Sequence, residues 1–567
     1  MNPTLPRTLL LALVAPLALV ALVAAGGCQP DEIEPAPATL GPEDGPAGVG
    51  VSPIPLPPGE PDAPFDWLIR GGEVIDGTGA PPVRADLLVR GERIAHIGIV
   101  DPDTLEVLEH FDATGLVLTP GFIDLHAHGS PLQTPDFENF VAQGVTTIVL
   151  GQDGSSPQAA ELAGEMRAVE AAPVRVNTGW LIGHNTLRRE SGVGFDPPSE
   201  EGTRRMAELV GRALEAGAFG LSLGLEYTPG NQADLDELVA IARPVAARGG
   251  VVMSHMRTED SGEVLGAVEE LLEQGRRSGA RVHVSHLKIV LGSDPAEARR
   301  VLAAMEKARA AGLAVSADLY PYTASFTGLA ILFPDWARPP NDYDRAVRER
   351  GEELAAHLRA RVLARNGPGA TFFGTGPHAG RTLEEAAESR GIPFEELLVE
   401  LGPGGARAAY FVMDEGVMAT FLADPWVAVA SDGSPTMGHP RGYGSFARIL
   451  HRWVAAEGLL TLEEAVRRMS GLPASILGLA DAGRTDLPRG LLGEGWAADL
   501  ALFDPAAVRD RADFEDPHRI AEGVSGVWVG GRLTWRDGAL VPGVASGRVL
   551  RDAGSGDPSV TTGPGNR

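Results

Sequence analysis

The sequence predicts an α/β protein: a (β/α)8 TIM barrel with a small β-sandwich-like domain formed from both chain ends. Two patterns predict this fold. In the middle of the chain, eight short apolar runs alternate with longer segments whose apolar residues recur at helical spacing. Before and after that region, shorter runs alternate apolar and polar residues, as strands with one solvated face do. The 567 residues, 44% of them hydrophobic, suffice for a large barrel and a second domain.

The chain begins with the features of a bacterial export signal. Arg7 precedes a long apolar run, and the small pair Gly26-Gly27 stands directly before Cys28, the only cysteine. This pattern predicts a signal peptide over residues 1–28 with a lipobox, and a lipid on that cysteine as the only membrane attachment. The expected location is therefore the bacterial cell envelope or periplasm. An uncleaved membrane anchor and a plain signal peptide with a chance cysteine are the alternatives.

Two terminal stretches lack the apolar periodicity of folded elements. Residues 29–65 are rich in proline, glycine and acidic residues, which predicts a disordered tether. Residues 552–567 are similarly polar and predict a disordered tail. Between them, residues 66–118 and 485–551 share the same alternating β pattern. We therefore expect both chain ends to build one small β-domain.

The barrel is expected to occupy residues 119–484. Its eight predicted strands lie in the runs GFIDLHAH, VTTIVLGQD, VRVNTGWLIGH, GAFGLSLGLEY, GVVMSHMR, RVHVSHLK, LAVSADLYPY and WVAVASDG. Amphipathic segments such as SGEVLGAVEELLEQGRRSG separate them, as the helices of a barrel would. A longer helical insertion is predicted at about 335–420, before the last strand.

The charge argues against nucleic-acid binding, and the cysteine count excludes disulfide and thiolate-cluster chemistry within the chain. The net charge is −28 and the pI is near 4.9, whereas nucleic-acid binding needs a basic face that displaces counterions. A single cysteine excludes an intramolecular disulfide and a thiolate metal cluster. The sequence carries no indication of an oligomeric state.

Histidines and carboxylates fall at the ends of the predicted strands. They are His126 and His128 on strand one, Asp153 on strand two, His184 on strand three, Glu226 on strand four, His255 on strand five, His286 on strand six and Asp432 on strand eight. The carboxyl-terminal ends of barrel strands converge on one mouth, where active sites are built. We therefore expect these side chains to line one site.

The types of these side chains indicate a divalent metal centre. His126 and His128 alternate on a strand and so face the same side, where two neutral imidazoles can chelate one cation. Imidazole and carboxylate donors together favour Zn²⁺, as one or two ions. Such an ion lowers the pKa of bound water to about 7. Asp432 is predicted to be both a metal ligand and the general base that passes a proton to the leaving group.

Several nearby residues have two interpretations each. Asp153, in Gly-Gln-Asp-Gly, is either a turn-former or a metal ligand, and its place beside the strand-one histidines favours the ligand. His184 either contacts the substrate or supports the fold, and Glu226 either orients ligands or bonds loop amides. Arg257 and Glu259 are expected to form a supporting ion pair.

The motifs that contain these residues resemble the amidohydrolase superfamily, and within it the D-aminoacylase (N-acyl-D-amino-acid deacylase) family. The resemblance covers about residues 66–551, and its motifs occur in the family order. They include LTPGFIDLHAHGS, GVTTIVLGQDG, GLSLGLEYTPG, VSHLK, DLYPYTA, ASDGSP and HPRGYGSFARIL. The resemblance implies metal and catalytic roles for one set of residues: His126, His128, His255, His286 and Asp432.

The resemblance also implies which residues hold the carboxylate of the substrate. They are Lys288, Arg441 and either Tyr320 or Tyr322. Arg441 can bind a carboxylate through two parallel hydrogen bonds, although a loop-stabilising arginine is the alternative. His439, in the same loop, is either part of the substrate loop or structural.

The sequence departs from the family pattern at one position. Many members have a cysteine in Gly-Asn-Cys-Gly where this chain has Asp153. A carboxylate can bind one ion or bridge two, but it is a harder ligand than a thiolate. Metal preference is therefore expected to differ from that of the cysteine-containing members.

These observations predict an exported metallohydrolase that cleaves the amide bond of a small N-acyl amino acid. The D configuration of the substrate is implied by the resemblance. A related amide hydrolase that acts on dipeptides or cyclic amides is the nearest alternative. A catalytically inactive, envelope-binding lipoprotein is the alternative from a different class, and the complete set of predicted ligands argues against it.

Overall fold

The computed structural model describes residues 51–53 and 63–554. The predicted signal peptide with Cys28, and most of the predicted tether and tail, lie outside the described residues. The described part of the tether packs on the folded protein, because Val51 is buried in the β-domain core and the Ser52 carbonyl accepts a hydrogen bond from Trp496 Nε1 at 3.2 Å. Asp552, in the predicted tail, is also buried and pairs with Arg484.

The first folded segment is a set of five strands. They are β1 Phe65–Val74, β2 Val83–Arg90, β3 Arg93–Gly98, β4 Val107–Asp112 and β5 Val117–Pro120, with a 3-10 turn at Pro102–Thr104 between β3 and β4. Strand β1 pairs with β2 in antiparallel orientation and with β4 and β5 in parallel orientation. Burial along β1 alternates only over Gly72–Val74, because the register shifts between Ile69 and Gly72.

The central segment alternates strands and helices. Its strands are β6 Phe122–Asp124, β7 Val145–Leu150, β8 Asn177–Trp180, β9 Ile182–Gly183, β10 Gly220–Gly224, β11 Val251–His255, β12 Arg281–Val284 and β13 Val315–Leu319. Its helices are α1 Glu138–Val141, α2 Leu162–Glu170, α3 His184–Glu190, α4 Glu200–Glu215, α5 Leu235–Ala247, α6 Val264–Ser278 and α7 Pro295–Ala310, with a 3-10 turn at Gly230–Gln232. Polar caps begin three of the longer helices, α4, α5 and α7: Ser199, Asp234 and Asp294 each accept a hydrogen bond from a backbone N–H of the first turn.

The segment after β13 contains the predicted helical insertion and also a small sheet, whose first strand precedes residue 335. It comprises β14 Ser325–Gly328, α8 Tyr343–Ala364, β15 Thr371–Phe373, α9 Leu383–Arg390, α10 Phe394–Leu401 and β16 Arg407–Tyr410, with 3-10 turns at Leu329–Leu332, Asp335–Ala337 and Pro368–Ala370. The three strands pair in antiparallel orientation in the order β14-β16-β15. Runs of three or four residues, such as TFF and RAAY, are too short to be recognised as strands from their periodicity.

The remaining elements complete the barrel. They are α11 Glu415–Leu422, β17 Val427–Val429, α12 Arg441–Arg448 with a π-helical continuation at Ile449–Ala456, α13 Leu462–Met469 and α14 Gly471–Leu477. Parallel pairing runs from β6 through β7 to β8, and from β9 through β10, β11, β12 and β13 to β17. The fold is a (β/α)8 barrel, which confirms the predicted class.

Two further sets of contacts join these two groups of strands. Strands β8 and β9 follow each other with only Leu181 between them, and they form the third strand of the barrel. At the other junction, the Asp432 N–H donates to the His126 carbonyl at 2.9 Å, and the His128 N–H donates to the Gly433 carbonyl at 2.7 Å. Eight strands therefore form a continuous ring.

The chain returns to the first sheet through its last four strands. They are β18 Leu500–Phe503, β19 Val524–Val529, β20 Arg532–Arg536 and β21 Ala539–Leu540. Strand β18 pairs with β5, so strands from both chain ends join into one nine-stranded sheet. Its core brings the Trp528 ring within 5.7 Å of Trp67 and 5.3 Å of Phe111. None of the helices in the described part of the chain combines the length and apolarity needed to cross a membrane.

Candidate active site

The structure brings six of the predicted residues together at the carboxyl ends of five strands. Asp153, after β7, lies at the centre of the group. Its Oδ1 is 3.3 Å from His126 Nε2 and 3.2 Å from His286 Nε2, and its Oδ2 is 3.4 Å from His128 Nε2. The two carboxylate oxygens thus face different histidines, which is the arrangement a bridging ligand needs.

Asp432 and His255 complete this group. Asp432 Oδ1 is 3.0 Å from His128 Nε2 and 3.8 Å from His126 Nε2. His255 Nδ1 is 2.8 Å from His286 Nε2 and 3.8 Å from Asp153 Oδ1. The donor atoms therefore form two overlapping sets that share Asp153: His126, His128, Asp153 and Asp432 in one, and Asp153, His255 and His286 in the other.

Backbone geometry at the strand ends is unusual for these residue types. Asp153, His286 and Asp432 have positive φ angles of 53°, 37° and 47°. Only seven non-glycine residues in the described part of the chain have a positive φ, so three of the seven belong to this site. Such conformations cost about 1 kcal/mol or more each and persist where the surroundings enforce them.

Close packing enforces the conformation of Asp153. The Gly154 N–H donates to Ser222 Oγ at 3.1 Å. Gly224 lies against the other side, and a Cβ there would come within 2.2 Å of the Asp153 carbonyl oxygen. The Gly-Gln-Asp-Gly stretch is therefore a tight turn, and it directs its carboxylate toward the histidines.

Two carboxylates near the site were not found from the sequence. Asp318, on β13, is fully buried and lies 3.5 Å from His126 Nδ1 and 2.8 Å from His283 Nε2, and it accepts the His286 N–H at 2.8 Å. Asp124, on β6, accepts the N–H groups of His126 and Ser431. The presence of each carboxylate in a buried apolar run, FID or VSADL, was the available signal.

The imidazoles and carboxylates of the cluster shift one another's pKa values. Burial opposes charge on His126, but the carboxylates of Asp153 and Asp318 raise its pKa well above the ordinary value. Burial and Lys288 oppose charge on His286, while Glu259 and Asp153 raise its pKa to about 9. The pKa of Asp153 is well below its ordinary value, because the neighbouring histidines outweigh its burial.

The cluster fits a divalent metal ion. Neither ring nitrogen of buried His126 makes a hydrogen bond with any described residue, although a buried imidazole normally finds a partner. Nitrogen and carboxylate oxygen donors at this density suit Zn²⁺ and similar ions. Glu226 Oε2 lies 3.0 Å from His255 Nε2, so it can accept that N–H and leave Nδ1 free as a ligand.

The predicted carboxylate-binding residues surround one aromatic ring. The Arg441 guanidinium lies 4.6 Å from the centroid of the Tyr320 ring, and Lys288 Nζ lies 5.8 Å from it. Arg441 Nη1 pairs with Asp432 Oδ2 at 2.9 Å, whereas its buried Nε has no partner among the described residues. Among the described residues, the Tyr320 hydroxyl has one hydrogen-bonding contact, with Met413 Sδ at 3.8 Å. Both residues thus retain hydrogen-bonding capacity for a ligand.

Lys288 is more constrained than the sequence suggested. Its ammonium group donates to Glu259 Oε1 at 2.6 Å, and it lies 2.8 Å from His286 Nδ1 and 3.0 Å from the His286 carbonyl. Glu259 therefore pairs with Lys288, and the predicted ion pair with Arg257 is wrong. Arg257 pairs with Glu270 instead, at 2.9 Å.

His184 does not join the cluster. It is fully buried, and its Nε2 bonds Glu237 Oε1 at 2.7 Å. Arg188 pairs with the same carboxylate. His184 begins a helix whose first turn points it toward α5, so the prediction of a substrate-binding role is corrected to a structural one.

His439 is also fully buried, and both of its ring nitrogens are used. Nε2 donates to the Ala324 carbonyl at 3.0 Å, and Nδ1 accepts the Arg441 N–H at 3.0 Å. Burial and the nearby Arg441 charge lower its pKa well below the ordinary value, so the ring is neutral. Of its two interpretations, the structural one holds.

Comparison with known proteins relates this site to characterised enzymes. A family model described as the amidohydrolase family matches residues 366–535. The D-aminoacylase of Alcaligenes xylosoxydans xylosoxydans is 35% identical over 517 residues, covering 86% of this chain and 98% of that protein. The N-acyl-D-glutamate deacylase of the same organism is 36% identical over 517 residues, covering 86% of this chain and 96% of that protein.

A solved structure extends the similarity to three dimensions. It is the N-acyl-D-glutamate deacylase of Bordetella bronchiseptica, complexed with zinc and a phosphonate inhibitor that mimics the tetrahedral intermediate. It matches with a TM-score of 0.74 at 33% identity and covers 86% of this chain and 100% of that chain.

Proposed function

Because the chain belongs to the D-aminoacylase (N-acyl-D-amino-acid deacylase) family of amidohydrolases, we propose that it hydrolyses N-acyl-D-amino acids. The products are a carboxylate and a free D-amino acid. The observation that carries this proposal is the cluster around Asp153, where donor side chains from five strands meet. The alignment with a relative of this family covers over four-fifths of the chain. The enzyme is thus a metal-dependent hydrolase of linear amide bonds.

The metal ligands are assigned from the two overlapping donor sets. They are His126, His128, Asp153, His255, His286 and Asp432. Zinc is the proposed ion, because it accepts this mixture of imidazole and carboxylate donors and because a solved relative is complexed with it. When bound, such an ion polarises the amide carbonyl and makes water more acidic.

Asp432 is proposed to move the proton during hydrolysis. Burial opposes its charge, but Arg441 and the surrounding histidines hold its pKa far below the ordinary value, so it enters the reaction as a carboxylate. It accepts a proton from the attacking water and delivers it to the departing amine nitrogen. Its position at the last strand places it beside both His126 and His128.

Arg441 and Tyr320 are proposed to hold the carboxylate of the substrate. Arg441 has a buried Nε without a partner among the described residues, and Tyr320 has an uncommitted hydroxyl, so both can donate. Lys288 adds positive charge beside them, although its ammonium is engaged by Glu259. A carboxylate on the substrate therefore meets two cations and a phenol.

A hydrolysis screen with metal analysis tests the proposal. Purified protein is assayed on N-acyl-D-amino acids, the matching L-enantiomers, dipeptides and cyclic amides. Selective hydrolysis of the D-series is expected, together with bound metal. Activity confined to L-substrates, dipeptides or cyclic amides would contradict the substrate assignment.

Substitution Asp432→Asn tests the proton-transfer role. Removing a general acid–base typically lowers kcat by about 10²–10⁴-fold. The variant is expected to lose activity on that scale while its far-UV circular dichroism stays that of the native protein. Native-like turnover would exclude Asp432 as the proton carrier.

We also propose that the protein is exported and anchored by a lipid on Cys28. This rests on the sequence of residues 1–28, which lie outside the described residues. Mass spectrometry of the mature amino terminus is expected to show cleavage before Cys28 and a lipid on it. Cys28→Ser should abolish lipidation, and an unmodified mature terminus in the native protein would refute the anchor.

A further inference from the structure

The connection between β18 and β19, residues 504–523, packs against the barrel rather than against its own sheet alone. Asp510 pairs with Arg448 Nη1 at 2.8 Å and with His451 Nδ1 at 3.0 Å. Both partners lie on α12 or on its π-helical continuation. The β-domain is therefore linked directly to the helix that begins with Arg441.

His518 makes a second contact from the same connection. Its Nε2 donates to the Met437 carbonyl at 2.9 Å, and its ring lies 5.1 Å from the Tyr443 ring. Met437 precedes α12, and Tyr443 lies in its first turn. The connection thus contacts α12 before its start, in its first turn and at its end.

Phe514 provides a third contact from the same connection. Its ring lies edge-on to His439, with the centroids 4.9 Å apart and the planes at 81°. Three other rings also meet His439 edge-on, and with Phe514 they form its surroundings: Tyr320, Tyr322 and Phe326. Those three come from the barrel and its insertion, so Phe514 is the one ring supplied by the β-domain.

His439 connects the Phe514 ring to Arg441 through a hydrogen bond. Its Nδ1 accepts the Arg441 N–H, and its Nε2 donates to the Ala324 carbonyl, so the ring has one orientation. A ring held between four aromatic neighbours cannot rotate without displacing one of them. The start of α12 is therefore located by the ring that Phe514 covers.

We propose that Phe514 is a positioning residue for Arg441, acting through His439, and that the β18–β19 connection thereby couples the β-domain to substrate binding. This inference rests on the proposed function, in which Arg441 holds the carboxylate of the substrate. In this proposal Arg441 contacts the substrate, whereas Phe514 acts only through His439. The effect of changing Phe514 should therefore appear in substrate binding and not in metal binding.

Kinetics of Phe514→Ala test the inference. KM for the best N-acyl-D-amino acid is expected to rise about tenfold, because a displaced binding group weakens substrate positioning. The kcat should fall by a smaller factor than KM rises, and the metal content should be unchanged. Phe514→Tyr, which keeps the ring, should restore KM.

Phe372→Ala is the matched control. Phe372 packs on Phe514 with centroids 6.5 Å apart, but it is not among the four rings around His439. The KM of the Phe372→Ala variant is expected to remain within about twofold of the native value. In an Arg441→Ala background, Phe514→Ala should raise KM no further, because the group it positions is gone.

Hydrogen exchange gives a readout that does not depend on the reaction. The Arg441 N–H is expected to exchange faster in Phe514→Ala than in the native protein, and at the native rate in Phe372→Ala. The inference would be overturned if the Arg441 N–H exchanged at the native rate in Phe514→Ala, or if it exchanged equally fast in Phe514→Ala and Phe372→Ala. It would also be overturned if the effects of Phe514→Ala and Arg441→Ala on KM were additive. An inactive native protein would instead overturn the proposed function, and exchange would still decide the role of Phe514.

Discussion

At the scale of single residues, Asp153 is the carboxylate that the two donor sets have in common. Its two oxygens face different histidines, and it belongs to both donor sets. A turn of this kind could be built with glycine or asparagine, so the carboxylate itself is the informative feature. Its charge is retained because the histidines outweigh its burial.

Asp153→Ala is expected to lower the bound metal to half or less of the native content, since both donor sets lose a member. Asp537→Ala is a matched control, because Asp537 has a similar positive φ of 47° but lies on the surface. Metal content is measured by atomic emission after dialysis. Equal metal in the two variants would return Asp153 to a turn-forming role.

We expect Asp318, whose Oδ2 lies 3.5 Å from His126 Nδ1, to influence which nitrogen of His126 can bind a metal. As a carboxylate it can only accept, so it favours a proton on His126 Nδ1 and a free lone pair on Nε2, the nitrogen that faces Asp153. In Asp318→Asn, an amide N–H facing Nδ1 would favour the opposite tautomer. Metal affinity is expected to fall about 10–100-fold.

A competition titration against a chromophoric chelator measures this affinity. Ser316→Ala is the control, because it removes the bond from Ser316 Oγ to His283 Nδ1 while leaving Asp318 in place. Its affinity should stay within about threefold of native. Native affinity in Asp318→Asn would show that the carboxylate does not set the tautomer.

At the scale of elements, α3 and α5 are joined by buried charges rather than by apolar contact alone. Glu237, on α5, bonds both His184 and Arg188 of α3, and the side chains of Arg188 and Glu237 are 0% exposed. Breaking one partner of a buried pair leaves the other charge without compensation. This explains a histidine at a strand end that takes no part in the site.

Glu237→Gln is expected to lower the free energy of unfolding by about 3 kcal/mol. Burial raises the pKa of Glu237, but His184 and Arg188 lower it overall, below the ordinary 4.5. Its contribution is therefore present above pH 4.5 and is lost as pH falls through the folded pKa. The stability gap between variant and native protein should narrow on acidification.

Urea denaturation at several pH values measures this gap. Glu208→Gln is the control, because Glu208 pairs with Arg204 on an exposed surface of α4. It is expected to cost less than about 0.5 kcal/mol. A loss in Glu237→Gln no larger than that of the control would exclude the buried pair as a link between the helices.

At the scale of the whole molecule, periodicity predicted the fold because each barrel strand is a buried run between amphipathic helices. The strand-end residues followed from the same pattern, since parallel strands end at one mouth. The long-range ion pairs could not be predicted from periodicity. Glu259 pairs with Lys288 and not with Arg257, and His184 pairs with Glu237. Such pairs depend on side-chain rotamers and on the residue at which a helix begins, and the periodicity of the sequence specifies neither of them.

The β strands of the insertion escaped prediction for a related reason. Strand β15 has three residues and β16 has four, and they acquire their pairing from each other and from β14. Similarly, the role of Phe514 depends on contact with a loop some seventy residues earlier in the chain. Features that require two distant segments to meet are not present in the local pattern of either segment.

Metal binding should stabilise the barrel as a whole, because its ligands come from five strands around the ring. At a metal concentration one hundred times Kd, one site adds about 2.7 kcal/mol to the free energy of unfolding. For a chain of this size that raises Tm by about 2–3 °C. Chelation should therefore lower Tm, and zinc should restore it in a concentration-dependent way. Asp153→Ala, which lacks the shared ligand, should show a much smaller response. A Tm independent of zinc in the native protein would mean that the cluster is held together by its own charges and binds no ion.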